Sequence, residues 1–381
     1  MNDPHSNKTK LFISAGERSG DIHSSELVKE LKKQSGHGIS FSGLGGEFMK
    51  AEGVELLYTV KDLAVTGLVE VASKYPFFKK VLRDCLSHVK QTNPNVVILT
   101  DFPGFNLRLA LELKKFYKGK IIYFISPQFW AWREKRVEIV KQTADKVLVT
   151  FPFEVGFYRK HGIDAVYVGN PLVKKFGEFK NSLDKKKNVY GDKKIITFLP
   201  GTRKSEIINH VKVLSETALQ LKKEFDCETI MSSVGLTDEL KNKFSSELFV
   251  FNLSDESSYD LISRSDLVLT KAGTSTVEAA LLETPMIIFY KTYFTNYALL
   301  KPLAKIKNMG MVNILSGKTI AKEFIQKDFT KENLLSEARK ILTQIDYRES
   351  LVNNLKKIRT LLGDEDASTN AAQQIKKYLI N

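Results

Sequence analysis

Hydrophobic and polar positions alternate in a regular way through the first part of the chain. Short apolar, β-branched runs are separated by longer stretches in which apolar residues recur at helical spacing. This order is typical of a parallel sheet with crossover helices. The predicted strands cover residues 11–14, 39–42, 96–100, 121–125, 147–150 and 166–168.

The same alternation restarts after a lysine-rich, strand-poor stretch at residues 174–194. The restart predicts a second set of strands at residues 195–199, 229–232, 249–252, 267–270 and 286–290. Beyond Phe329 the pattern is helical to the end of the chain. We therefore predict an α/β fold of two Rossmann-like domains with a linker at residues 170–194.

The predicted domain boundaries are 1–172 for an N-terminal Rossmann-like domain and 173–345 for a C-terminal Rossmann-like domain. The parallel sheets of the two domains are expected to face a cleft. Residues 346–381 are predicted to be helices that either cross back to the first domain or contact a partner subunit.

The composition is that of a globular protein, with 43% hydrophobic and 27% charged residues in 381. The opening residues lack the order of a secretory signal, and no apolar run approaches the roughly 20 residues of a spanning helix. Two cysteines without metal-ligand spacing, Cys85 and Cys227, indicate a reducing cytosol. The six histidines show no zinc spacing either, so we expect no metal and no other cofactor.

A formal net charge of +14 predicts an anionic partner, such as nucleic acid, anionic lipid or a phosphorylated substrate. The lysines are scattered and form no basic tail, which disfavours nucleic acid. Residues 63–83 mix Leu68, Val69, Phe77 and Phe78 with basic side chains, as in a segment that lies in a membrane interface. An amphipathic helix packed on the sheet has the same pattern, and this alternative stays open.

Ligands of doubly wound sheets bind beyond the carboxyl ends of the strands, so the loops at these ends are the functional candidates. The first loop, at residues 14–21, combines small residues with Glu17, Ser19 and Asp21. Because carboxylates disfavour a pure phosphate site, a site for sugar hydroxyls is the better interpretation; the alternative is a turn capped by Asp21. The glycine-rich loop at 43–46 lacks dinucleotide spacing, and tight packing explains it equally well.

Asp101 follows a buried-looking strand and is a candidate general base for an acceptor hydroxyl, because apolar neighbours raise the pKa of a carboxylate. Its alternative role is a helix N-cap, which suits the following Pro-Gly poorly.

The segment 126–133 follows the next strand and contains Trp130, Trp132 and Arg133. Its aromatic faces suit a sugar ring or an acyl chain, and plain interdomain core explains them about as well.

Two loops of the second domain favour a nucleotide diphosphate. The turn with Gly201 and Arg203 offers a guanidinium for bidentate phosphate contact. The segment 271–280 lies between a strand and a helix, and Glu278 lies about one turn into that helix, within reach of a ribose diol. A capping box that involves Glu278 is the alternative. The amides and hydroxyls at the start of this helix belong to Gly273, Thr274 and Ser275.

Together these segments resemble the lipid-A-disaccharide synthase family, which are glycosyltransferases of the GT-B type. The resemblance covers nearly the whole chain, and its most specific part is Ser-Pro-Gln-Phe-Trp-Ala-Trp-Arg at residues 126–133. The other matching segments are 16–21, 43–46, 101–106, 199–203, 273–278 and 312–315.

The resemblance implies a hexosyltransferase that joins UDP-2,3-diacylglucosamine to 2,3-diacylglucosamine 1-phosphate (lipid X) by a β-1,6 linkage. It also implies inversion at the anomeric carbon without a metal, and release of UDP. The enzyme would be a peripheral protein on the cytoplasmic face of the inner membrane, and a homodimer is left open.

The resemblance also implies that the N-terminal domain faces the acceptor and the membrane and that the C-terminal domain binds the UDP-sugar. Individual residues then have expected roles. The expected catalytic residues are Asp101, Glu17 and Arg203. The expected UDP-sugar residues are Gly201, Arg203, Gly273, Thr274, Ser275, Glu278 and Asn313, and the expected acceptor residues are Ser19, Asp21, Asn106, Trp130 and Trp132. The chain departs from the family pattern at Arg18, Gly104 and Lys271. Gly104 stands where some members carry a second aspartate, which leaves Asp101 or Glu17 as the base.

Two other functions stay open on the sequence. A UDP-N-acetylglucosamine 2-epimerase or another GT-B transferase would act on a soluble sugar nucleotide, which the apolar and basic segment at 63–83 and the tryptophan segment disfavour. A basic membrane- or RNA-binding protein would bind with steep salt dependence but would release no UDP.

Overall fold

The structure, a computed structural model, describes residues 9–35, 38–63, 75–131, 134–180, 192–292 and 307–379. The strands are β1 (Thr9–Ala15), β2 (Ile39–Gly45), β3 (Glu55–Thr59), β4 (Val96–Thr100), β5 (Lys120–Phe124), β6 (Lys146–Val149), β7 (Ala165–Tyr167), β8 (Lys194–Leu199), β9 (Cys227–Ser232), β10 (Asn252–Ser254), β11 (Leu267–Lys271), β12 (Met286–Tyr290) and β13 (Glu323–Ile325).

The α-helices in these ranges are α1 (Arg18–Ser35), α2 (Glu47–Ala51), α3 (Val60–Leu63), α4 (Tyr75–Thr92), α5 (Pro103–Leu113), α6 (Val137–Thr143), α7 (Pro152–Lys160), α8 (Pro171–Lys180), α9 (Lys204–Glu224), α10 (Asp238–Lys243), α11 (Ser245–Leu248), α12 (Ser258–Ser263), α13 (Ser275–Leu281), α14 (Met311–Ser316), α15 (Lys331–Thr343), α16 (Ile345–Leu362) and α17 (Ala367–Lys376).

The chain forms two compact units. The first comprises Met1–Pro171 and Asp364–Asn381, and the second comprises Leu172–Gly363. The N-terminal part of the first unit ends at Pro171, one residue before the predicted boundary at residue 172. The predicted terminal segment 346–381 is divided, because α16 belongs to the second unit and α17 to the first.

The first unit is built on a seven-stranded parallel sheet in the order β3-β2-β1-β4-β5-β6-β7. Alternate residues of a strand point to opposite faces. On β4, Val97 and Leu99 therefore join one buried cluster, and Val96 and Ile98 join the other. Since both faces are covered, the central strands read as continuous apolar runs in the sequence.

Helix α17 completes one of these two faces. Its Ala371, Ala372 and Ile375 belong to the same buried cluster as Leu27 and Leu31 of α1. Side chains also join the two helices, since Gln34 Nε2 donates to the Thr369 carbonyl over 3.1 Å and Lys376 Nζ donates to the Gln34 carbonyl over 2.7 Å.

The second unit holds a six-stranded parallel sheet in the order β10-β9-β8-β11-β12-β13. Two Rossmann-like α/β units are thus confirmed. The sequence pattern misses β3 and β13, which are edge strands whose residues are mostly only half-buried. The strand predicted at 249–252 is wrong in position: Phe249 is 92% exposed, and β10 begins only at Asn252.

Candidate active site

A polar cavity of about 270 Å³ lies in the second unit, at the carboxyl ends of β8, β9 and β11. These strands are neighbours in the sheet, so loops that are distant in sequence meet there. The cavity is lined by Leu199, Pro200, Gly201, Thr202, Ser232, Val234, Ser258, Lys271, Gly273, Thr274, Ser275 and Glu278. The structure therefore brings together five of the predicted UDP-sugar residues, namely Gly201, Gly273, Thr274, Ser275 and Glu278.

Lys271 lines the cavity and forms an ion pair with Glu206, with Lys271 Nζ 3.0 Å from Glu206 Oε1. Burial acts to raise the pKa of Glu206, but the charges and hydrogen bonds of Lys271 and Arg203 together outweigh it, so this pKa is lowered. The ammonium group lies over the following turn, because a Cβ built on Gly273 would be 3.4 Å from Lys271 Nζ. The two residues are separated by 65 positions, and no sequence signal pairs them.

Gly201 is required for this position of Glu206. Its φ is +106°, and a Cβ on it would lie 2.4 Å from Glu206 Oε2. The same oxygen accepts the Arg203 amide over 3.3 Å as part of a capping box at the start of α9. The loop conformation and the buried carboxylate therefore depend on each other.

Arg203, the predicted phosphate ligand, does not line the cavity in this conformation. Its side chain is 77% exposed, and its Nη1 lies 3.8 Å from Glu206 Oε1. Glu206 thus faces two cations, of which Lys271 lies inside the cavity and Arg203 outside it.

Glu278 is buried and contributes a carboxyl group to the cavity. Burial raises its pKa, against a hydrogen bond from Ser258 and the charge of Lys175. No side-chain hydrogen bond caps α13, so the capping-box alternative is not observed. Because α13 is only seven residues long, the turn, Lys271 and Glu278 define the cavity better than a helix dipole does.

Asn313 has a structural role instead of the predicted UDP contact. It is fully buried, and its amide group donates to the Ala321 carbonyl over 2.7 Å and to Glu323 Oε1 over 2.6 Å. Its oxygen accepts the amides of Ile320 and Ala321 over 2.8 Å and 3.0 Å. These four bonds fill the hydrogen-bonding capacity of the side chain and fix the loop before β13.

His210 was not singled out by the sequence, yet it supports the cavity from behind. Its Nδ1 lies 2.7 Å from the Pro200 carbonyl, to which it must donate, so Nε2 accepts the Lys291 amide over 3.0 Å. Burial lowers the pKa of this imidazole, which favours the neutral form that these bonds require. His210 therefore ties the Pro200 loop to the end of β12.

In the first unit, Asp101 follows β4 in a strained loop. Asp101 and Phe102 have φ values of 44° and 49°, a region that residues other than glycine rarely adopt. The buried Asn106 holds the loop, because its Nδ2 donates to the Asp101 carbonyl over 2.8 Å while its Oδ1 accepts from Ser14 Oγ over 2.6 Å. Asn106, a predicted acceptor ligand, thus positions Asp101.

The predicted base has the expected electrostatics. Burial, and after it the negative charge of Glu17, raise the pKa of Asp101 to about 6, although a hydrogen bond with the Phe102 backbone acts against them. Glu17 and Ser19 are exposed. Gly16 is needed beside this loop, since a Cβ there would lie 2.2 Å from the Phe102 ring.

Asp21 also proves to be structural. Its carboxylate is 3% exposed and accepts the amides of Gly46, Phe48 and Met49 over 2.7, 3.2 and 3.0 Å. A Cβ on Gly46 would lie 2.4 Å from Asp21 Oδ2, which explains one glycine of the 43–46 loop by packing. Asp21 therefore joins α1 to the start of α2 and is left out of the proposed acceptor site.

Trp130 lies over the start of α7. Its Nε1 donates to Glu154 Oε1 over 2.9 Å, and its ring packs edge-on against Phe153 at 4.9 Å. Burial raises the pKa of Glu154 to about 7. The predicted partners Trp132 and Arg133 lie outside the described residues.

A second cavity, of about 290 Å³, lies in the first unit and is mainly apolar. It is lined by Tyr75, Phe78, Lys79, Leu82, Phe102, Gly104, Phe105 and Arg108. Phe77 and Phe78, predicted to face a membrane, are half-buried and pack on the core of this unit. The aromatic residue exposed at the start of α4 is Tyr75, at 52%. Leu68 and Val69 lie outside the described residues.

Among the residues that the structure describes, no helix is both long and apolar enough to pass through a bilayer. In the same ranges no three His, Cys, Asp or Glu side chains are grouped as metal ligands.

Comparison with known proteins decides the family. The profile of the family described as lipid-A-disaccharide synthetase matches residues 11–378. The chain belongs to this family.

Curated relatives agree with this membership. Lipid-A-disaccharide synthase 1 of Legionella pneumophila (strain Paris) is 36% identical over 367 residues, which are 95% of each chain. Lipid-A-disaccharide synthase of Myxococcus xanthus (strain DK1622) is 30% identical over 98% of each chain. The predicted glycosyltransferase of lipid A biosynthesis, a hexosyltransferase, is thus confirmed at the level of the family.

Solved structures with the same fold include a UDP complex of MnaA from S. aureus, with a TM-score of 0.67, 16% identity and 97% of each chain covered. A UDP-GlcNAc 2-epimerase from Neisseria meningitidis, bound to UDP-GlcNAc, has a TM-score of 0.63 and 12% identity over 98% of this chain and 100% of that one. At such identities the likeness shows the GT-B-type fold alone, as predicted for a member of the lipid-A-disaccharide synthetase family.

Proposed function

We propose that this member of the family transfers a 2,3-diacylglucosamine residue from UDP to 2,3-diacylglucosamine 1-phosphate, with a β-1,6 linkage and inversion at the anomeric carbon. The observation that carries the proposal is the polar cavity at the ends of β8, β9 and β11, where Lys271 and Glu278 flank a turn of small residues. Cation, amides and buried carboxylate match the diphosphate and the ribose of a sugar nucleotide.

On the donor side, the diphosphate lies over the Gly273 turn, where Lys271 meets its negative charge. Arg203 approaches from the exposed edge of the same loop and supplies a bidentate contact. Glu278 accepts the ribose hydroxyls, a role suited to a carboxylate that is largely withdrawn from water.

On the acceptor side, the Asp101 carboxylate removes the proton of the attacking hydroxyl. The acceptor oxygen forms the new bond to the anomeric carbon as the bond between that carbon and the UDP oxygen breaks. UDP leaves with the bonding electrons, and a single displacement inverts the centre. The charge that develops on the diphosphate is stabilised by Lys271 and Arg203.

The Asp101 site has two features of a general base. Its pKa of about 6 lets the carboxylate stay ionised at neutral pH while it remains basic enough to accept a proton. Its strained backbone is held by Asn106, so the carboxylate is kept in one orientation. Glu17 acts through its charge on Asp101 in this scheme, and Ser19 stays a candidate contact for the acceptor sugar.

The test is a comparison of donors with purified protein. UDP-2,3-diacylglucosamine and plain UDP-N-acetylglucosamine are each incubated with the lipid acceptor, and free UDP and the disaccharide are measured. We expect UDP and disaccharide in equal amounts from the acylated donor alone. Epimerised sugar nucleotide from the plain donor, or binding without UDP release, would instead favour the two competing functions.

The acylated substrates also imply peripheral association with the cytoplasmic face of the inner membrane. The start of α4 supports this, because Tyr75, Lys79, Lys80 and Arg83 are exposed together. Removing one basic charge there, as in Arg83→Gln, should weaken binding to anionic vesicles about fivefold, since each such charge contributes about 1 kcal/mol. Lys223→Gln, at an exposed position near the end of α9, is the control, and equal effects of both changes would exclude α4 as the membrane contact.

A further inference from the structure

The apolar cavity of the first unit has no role in the reaction described so far. It lies between α4 and α5, with Phe78 and Leu82 on one side and Phe102 and Phe105 on the other. Among the described residues that line it, Lys79 and Arg108 are charged and none is a carboxylate. The cavity thus combines an apolar interior with positive charge at the rim, which suits an apolar chain attached to an anionic head group.

We propose that this cavity binds one acyl chain of the acceptor and limits the length of that chain. The inference rests on the proposed function and adds the acyl-binding site to it. Phe102 connects the cavity with the base, because it lines the cavity and directly follows Asp101. A chain held against Phe102 places its own sugar, rather than the donor sugar, next to the proton acceptor.

The size of the cavity supports one chain as the occupant. A volume of about 290 Å³ is at the lower end of the roughly 300–1,000 Å³ typical of ligand sites, too small for a diacylated sugar as a whole. The phosphate of the acceptor then stays outside, where Arg108 and Lys79 are exposed.

Gly104 gives direct control over this space. It lines the cavity at the start of α5, and a Cβ built on it meets no atom within 4 Å. A larger side chain there enters open space instead of colliding with the protein. Gly104→Leu should therefore fill part of the cavity without disturbing the fold.

The experiment measures kcat/KM for acceptors whose acyl chains grow in steps of two carbons, with one donor throughout. In the unchanged protein we expect kcat/KM to rise about fourfold for each methylene that the cavity takes up, and then to level off. Gly104→Leu should lower kcat/KM by about tenfold or more for the longest acceptors and leave the shortest within about twofold. The acceptor chain length that gives the highest kcat/KM should be shorter for Gly104→Leu than for the unchanged protein.

Gly156→Leu is the matched control, because Gly156 is another exposed helical glycine of the first unit with no atom within 4 Å of an added Cβ. It lies outside the cavity and should keep the original chain-length profile. An unchanged profile in Gly104→Leu would overturn the proposal. A second series varies the donor chains with one acceptor, and an effect of Gly104→Leu in that series alone would overturn it as well.

A direct binding measurement covers the case in which Gly104→Leu is unstable. A fluorescent fatty acid bound to the unchanged protein should be displaced by long-chain acceptor and not by short-chain acceptor. Equal displacement by both would contradict the proposal. Absence of UDP release with every acceptor, in contrast, would refute the proposed function itself.

Discussion

The loop after β4 and the loop after β11 occupy corresponding positions in the two sheets. They differ in backbone conformation and in the kind of side chain that they carry. Each strand lies beside the first strand of its own unit, β1 or β8. The loop after β4 is strained and carries large aromatic side chains and one partly buried carboxylate of raised pKa. The loop after β11 is made of small hydroxyl residues beside a lysine.

The difference separates what the fold contributes to the site from what the individual side chains contribute. The parallel sheet decides that both loops lie at a ligand-binding edge. The side chains then make one edge suitable for lipid and proton transfer and the other for phosphate. The following changes test this division, beginning with the largest expected effect.

Asp101→Asn should break the contrast most strongly. The amide cannot accept the proton, so transfer should fall by about two to four powers of ten. Affinity for UDP, measured by calorimetry, should be unchanged, because the UDP cavity lies in the other unit. Transfer near the original rate would show that Asp101 is not the general base and would leave Glu17 as the candidate.

Lys271→Met should have the converse effect. Loss of a charged hydrogen bond should weaken UDP binding about ten- to a hundredfold. Lys204→Met is the control, since Lys204 is an exposed neighbour paired with Glu239. Because Lys271→Met leaves the buried Glu206 with Arg203 as its remaining cation, 3.8 Å away, the double variant with Glu206→Gln checks that the loss is not one of folding.

Arg203→Ala separates the two cations of the donor loop. We expect turnover to fall by about two to three powers of ten if Arg203 moves onto the diphosphate, as for the loss of one positioned donor. Normal turnover in Arg203→Ala together with a strong effect of Lys271→Met would leave Lys271 as the leaving-group cation.

Asp21→Ala should affect the fold and not the chemistry. Three amides lose their acceptor, so the free energy of unfolding should fall by about 2 kcal/mol, while KM for the acceptor stays the same in folded protein. Urea unfolding measures the first quantity, with exposed Glu47→Ala expected to change it by less than about 0.5 kcal/mol. A raised KM with normal stability would return Asp21 to the acceptor site.

Glu17→Gln should give the smallest effect, a shift in pH dependence. Asp101 acts as a base only when ionised, so kcat/KM should fall as the pH drops below about 6. The negative charge of Glu17 raises this pKa, and its removal should move the acidic limb to lower pH. An unmoved limb would mean that burial alone sets the pKa, and loss of all activity would identify Glu17 as the base.

Much of this architecture can be predicted from the sequence. The alternation of apolar runs and helical stretches gives both sheets, because a sheet covered on two faces needs continuous apolar strands. The same logic places Gly201, Gly273 and Glu278 at one edge. This reasoning does not predict edge strands such as β13, since a half-exposed strand of three residues has no clear pattern of apolar positions.

The remaining site residues could not be predicted because their roles depend on partners that are distant in sequence. Asp21, Asn106 and Asn313 look like ligands in a polar loop, yet backbone groups use their hydrogen bonds. Glu206 and Lys271 form an ion pair although neither belongs to a motif that includes the other. Only the fold reveals which polar side chains are already occupied.

The return of α17 to the first unit has a consequence for synthesis. The first unit lacks part of one face until Asp364–Asn381 has been made, which is after the entire second unit. At about 5–20 residues per second this interval lasts roughly 10–40 s. During this interval one apolar face of the N-terminal sheet lacks the cover that α17 provides. The second unit is complete in sequence before the first unit is.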